Sequence, residues 1–68
     1  MNTHEQEALM RVSDPNVSVN DRESCIDILE VYLCVEALDA LLTISQDDRE
    51  PERLRNRAAR AISVIRGV

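Results

Sequence analysis

The stretch NDRESCIDILEVYLCVEALDALLTIS, residues 20–45, decides the fold: it contains no Gly and no Pro, and nothing in it stops a helix. Asn20 supplies an N-cap, and Asp21 and Glu23 place acids at the positive helix end. One helix of about 25 residues, about 37 Å long, is predicted. Stepping 100° per residue from Ile28, the apolar positions Leu29, Val31, Leu33, Cys34, Val35, Ala37, Leu38, Ala40, Leu41, Leu42 and Ile44 take up most of the circumference. The polar positions of the second half fall on one stripe, Tyr32, Glu36, Asp39 and Thr43. A helix apolar nearly all round must be covered on more than one side.

Downstream, Ser45–Pro51 is polar and acidic, and Pro51 suits the first turn of a second helix, about 51–66, which Gly67 closes. So short a connection predicts an antiparallel helical hairpin. In the second helix Leu54, Ala58, Ala61, Ile65 and Val68 form a narrow seam, with Ile62 and Val64 beside it. Upstream, Thr3 and Gln6 have capping-box spacing over residues 3–12, and Ser13-Asp14-Pro15-Asn16 is a turn. At about three turns this first helix is marginal alone, so residues 1–19 are expected as a loosely docked or frayed arm of one small domain, 1–68.

The shorter helix covers only one side of the long one. The expected answer is a second copy of the hairpin, giving an all-α four-helix bundle built as a two-fold dimer. Its core is predicted from Leu29, Val31, Leu33, Val35, Leu38, Leu41 and Leu42 of the long helix, with Leu54, Ala58, Ala61, Ile62 and Ile65 of the shorter one.

Composition narrows the function. The chain has 68 residues, 13 acids against 8 cations and a net charge of -5; every cation is arginine. At 44 % hydrophobic it is too apolar for a disordered acidic tail, and with Tyr32 as its one aromatic it is a poor sheet former. It has no Gly-rich phosphate loop, no CxxC pair and no apolar run long enough to cross a membrane. Cys25 and Cys34, separated by about 13 Å of helical rise, are too far apart to bridge within one helix. Reduced thiols in a cytoplasmic protein are expected, and residues 1–20 carry no basic-then-apolar leader.

Chemistry has little to work with. His4 is the one histidine, neither cysteine sits beside a cation cluster, and the helical acids Asp27, Glu30, Glu36 and Asp39 have no histidine at i+3. No enzyme, metal or cofactor is expected. Two sets of side chains remain as partner-binding candidates: the arginine stripe Arg49, Arg53, Arg57 and Arg60, and Tyr32 with Glu36 and Asp39. Residues 1–48 hold 11 acids and two arginines, whereas residues 49–68 hold six arginines and two acids. That stripe would therefore pair with the first helix, meet a protein partner, or read phosphates. The expectation is an interaction module: a small bacterial or phage regulator or inhibitor that occludes a larger protein, for example an anti-activator of a transcription factor. The alternative is a nucleic-acid-associated regulator using the arginines.

Overall fold

The computed structural model describes residues 1–67; Val68, the last position of the expected seam, lies outside them. Four α-helices pack together: α1 (Thr3–Val12), α2 (Val19–Val31), α3 (Leu38–Gln46) and α4 (Glu52–Arg66), with no strand among the described residues. The caps lie slightly upstream of those expected. Asn2 starts α1 with a reciprocal capping box: its side chain accepts from the Glu5 N–H at 2.8 Å, and Glu5 accepts from the Asn2 N–H at 3.3 Å. Ser18 caps α2, accepting from the Asp21 N–H at 3.2 Å. Gly67 closes α4 in the left-handed region that glycine enters freely, φ 76°.

The expected continuous helix over 20–45 is corrected. It breaks after Val31, and a 3₁₀ turn at Val35–Ala37 leads into α3. Leu33 adopts φ 51°, the one non-glycine residue with positive φ among those described. The Leu33 N–H donates to the Glu30 carbonyl at 3.0 Å and the Cys34 N–H donates to the Leu29 carbonyl at 2.9 Å. These two bonds make a Schellman motif with leucine where glycine is usual. Burial of Leu29 and Cys34, the two residues whose side chains such a motif brings together, offsets the left-handed cost of about 1–2 kcal/mol at Leu33. The break answers the problem of the all-round apolar helix within one chain. Its two halves each turn one face inward, α2 through Cys25, Ile26 and Leu29 and α3 through Leu41 and Ile44.

α1 packs on α2, α3 on α4, and α2 on α4. The shared core holds Ala8 and Val12 of α1, Ala37 of the 3₁₀ turn, and Leu54, Ala58, Ala61 and Ile65 of α4 beside those α2 and α3 residues. Leu38 and Ile62 pack at its margin. Four residues assigned to the core by sequence do not enter the core of the single chain: Val31, Leu33, Val35 and Leu42 are all exposed. Three of them flank or form the break, where the chain turns away from the core.

One charged side chain is fully inside. Arg22 occupies an α2 position in line with Cys25, Ile26 and Leu29, and it is 3 % exposed. Its Nε donates to the Val12 carbonyl at 2.8 Å, its Nη1 to Glu50 Oε1 at 3.0 Å, and its Nη2 to Glu50 Oε2. This guanidinium thus ties the end of α1 and the α3–α4 connection to α2.

Candidate functional site

Two of the four arginines of the stripe, Arg53 and Arg57, face α2. Arg57, mostly buried, donates from Nη1 to Glu30 Oε2 at 2.7 Å and from Nε to Asp27 Oδ1 at 3.1 Å, with Nη2 also on Asp27. Burial by itself disfavours its charge, but the Glu30 and Asp27 carboxylates outweigh that and raise its pKa. Arg53 reaches Glu23 Oε1 at 2.7 Å and Asn20 Oδ1 at 2.8 Å. Glu23, Asp27 and Glu30 sit four and three residues apart on α2, so an acidic ladder on α2 meets a basic ladder on α4. Arg49 belongs to neither: it folds back on Asp47 in its own connection, Nε to Oδ1 3.0 Å, and holds that carboxyl below its usual range. Arg60 is exposed and makes no ion pair among the described residues.

The second candidate set is divided by the break. Tyr32 ends α2 with its ring edge-on to His4, centroids 6.3 Å apart, whereas Glu36 and Asp39 lie beyond Leu33. All three are exposed. Between and beside them lies a group of apolar side chains open to solvent: Val31 at 77 % exposure, Leu33 at 55 %, Val35 at 61 %, and Leu42 further along α3. Large side chains concentrated at one helix break differ from the scattered apolar exposure common on protein surfaces. No sequence rule pointed to this place, because leucine seldom adopts the left-handed conformation that creates it. Arg22 left a visible trace: it is a charge at a seam position.

Two hollows open on the surface. A cleft between α1 and α2, lined by His4, Glu7, Ala8, Arg11, Cys25 and Ile28, holds about 140 Å³, below the roughly 300–1,000 Å³ of ligand pockets. A larger hollow of about 390 Å³, lined by Ser13, Pro15, Asp47, Arg49 and Glu50, reaches the lower end of that range. No group of three or more metal-binding side chains occurs among the described residues. Burial pushes both thiols up; Asp21 and Glu7 add to the effect at Cys25 against the opposing Arg11, and Glu36 adds to it at Cys34. Protonated, buried thiols are weak nucleophiles at neutral pH. Among the described residues no helix is long and apolar enough to cross a membrane.

No protein-family model matches the sequence, and comparison with curated proteins and with solved structures finds no match. The site therefore rests on its own geometry.

Proposed function

We propose that this chain is a small non-enzymatic protein–protein interaction module that works by occluding a surface of a larger protein. A bacterial or phage regulator or inhibitor, such as an anti-activator of a transcription factor, fits that description, and the cytoplasm is its compartment. The observation that carries the reading is the exposed apolar group at the α2–α3 break, Val31, Leu33 and Val35, with Tyr32 beside it. Tyrosine framed by aliphatic side chains and rimmed by charge, here Glu36 and Asp39, is the composition of an interface centre. Self-pairing uses the same apolar surface. The nucleic-acid alternative is weakened because Arg53 and Arg57 are engaged by Glu23, Asp27 and Glu30 and are not free for phosphates.

The test compares affinity capture from a bacterial lysate by the unchanged protein and by Val31→Asp/Val35→Asp. Both substitutions fall on exposed side chains and leave the core intact. A protein held by the first and lost from the second, by tenfold or more (about 1.4 kcal/mol), supports the reading. Equal capture by both sinks it. A DNA titration across a salt series decides the alternative, since phosphate binding weakens steeply as salt rises.

A further inference from the structure

The four helices form two pairs, α1 with α2 and α3 with α4, joined through Tyr32–Ala37 and packed together mainly through α2 against α4. The joint is strained, because Leu33 holds φ 51° without being glycine. The residues across it otherwise favour a helix: no Gly or Pro occurs from Val19 to Gln46. Bringing Leu33 and the extended Cys34 (ψ 94°) into the right-handed helical region would join α2 and α3 into one helix of about 28 residues, roughly 42 Å long.

That joined helix has a property the broken one lacks. Ile28, Val31, Val35, Leu38 and Leu42 follow one another at spacings of three, four, three and four, the repeat of a coiled-coil seam. On a straight helix at 100° per residue these five occupy an arc of about 80°. The core residues Cys25, Ile26, Leu29, Ala37, Leu41 and Ile44 fall on the opposite side. In the folded chain the seam is cut at Leu33, and Val31, Val35 and Leu42 stand in solvent.

We infer that the Leu33 joint is a hinge which opens when two copies exchange their α3–α4 halves, and that the occupant of this seam is the same seam of a second copy. In the exchanged dimer α4 of each copy packs on the partner's α2. Every α2–α4 contact is remade between chains, including the Arg57 pairs to Asp27 and Glu30 and the Arg53 pair to Glu23, and so is the pair of Arg22 with Glu50 of the α3–α4 connection. Charge complementarity between the acidic α2 and the basic α4 supports that docking in either connection. The gain on opening is release of the left-handed leucine and burial of Val31, Val35 and Leu42, the seam residues that a single copy leaves exposed. This goes beyond occlusion of a larger protein: it predicts that self-association hides the apolar group at the break.

The exchange has its own signature, a charge swap across the α2–α4 interface. One variant carries Arg57→Glu; the other carries Asp27→Arg and Glu30→Arg. Each alone sets like charges against each other, within the chain or in a dimer with its own kind. Only an exchanged dimer of one copy of each satisfies both interfaces. Co-refolding the two should give a one-to-one dimer, seen by native mass spectrometry, that melts well above either variant alone. A mixture that melts no higher than its components overturns the exchange, including the case in which neither component folds. Light scattering on the unchanged protein over a concentration series should show a monomer–dimer equilibrium. Leu33→Gly should weaken the dimer roughly tenfold or more, because glycine removes the strain of the closed joint and disfavours the straight helix. A monomer at every concentration, or a dimer indifferent to Leu33→Gly, refutes the hinge. Neither result depends on the lysate capture, so the two proposals fail separately.

Discussion

Arg22 and Glu50, 28 residues apart, meet as a two-pronged ion pair with the guanidinium side chain 4 % exposed and the carboxylate side chain 20 %. The third donor of Arg22 is occupied by the Val12 carbonyl. A buried pair of this kind adds little net stability over an apolar replacement, yet losing one member strands a charge in the core.

Glu50→Gln or Arg22→Met should therefore destabilise the chain by about 3–5 kcal/mol. The double variant Arg22→Met/Glu50→Leu should recover most of that loss. Urea unfolding of the three variants checks this. A double variant no better than the singles would show that the pair itself contributes net stability.

At dilutions where the chain is single, Leu33→Gly should stabilise it. Removing the left-handed penalty is worth about 1 kcal/mol, which for a domain of this size raises Tm by about 4–8 °C. Leu33→Ala keeps the Cβ and should not show the gain. Differential scanning calorimetry separates the two.

The arginines should divide by partner. Arg57→Ala removes contacts to Asp27 and Glu30 at a mostly buried site and should cost about 1–2 kcal/mol. Arg60→Ala, on an exposed side chain without an ion pair among the described residues, should stay within about 0.5 kcal/mol. Equal effects at both positions would remove the α2–α4 charge ladder as an explanation.

The thiols give a pH dependence of known sign. Cys25 and Cys34 are held above their ordinary pKa by burial, so between the unfolded and folded values the native chain binds more protons than the unfolded one. Their contribution is complete below about pH 8 and is lost as pH rises through the folded values. The urea midpoint should fall between pH 7 and pH 10, and the fall should be smaller in Cys25→Ala/Cys34→Ala. A fall of the same size in that variant would assign the effect to other groups.

The helical class, both ends of α4 and its inward face were legible because they rest on local signals. Pro51 and Gly67 bracket the helix, and Leu54, Ala58, Ala61 and Ile65 keep one period throughout. The break at Leu33 was not legible. Its signal is a backbone conformation that leucine disfavours, imposed by the burial of Leu29 and Cys34, and side-chain type does not reveal such tertiary override. That single miss concealed that Val31, Leu33 and Val35 stand exposed at the break in the single chain. The destination of the arginine stripe was one of three open readings, because its outcome depends on which α2 face turns toward α4. The run Arg22, Cys25, Ile26, Leu29 carried an unused clue: a cation in an apolar row needs an acid from elsewhere.

The single hydrogen bond from Arg22 Nε to the Val12 carbonyl also bears on the order in which the chain comes apart. A ten-residue helix at a chain end would ordinarily fray on its own, exchanging its amide protons long before the rest. Here α1 cannot lift off without orphaning a donor of the guanidinium that also holds the segment leading into α4. The amides of Ala8–Val12 and of the first hydrogen-bonded turn of α4 should therefore exchange with deuterium at a shared, slow rate, opening as one cooperative unit although they stand more than forty residues apart in sequence.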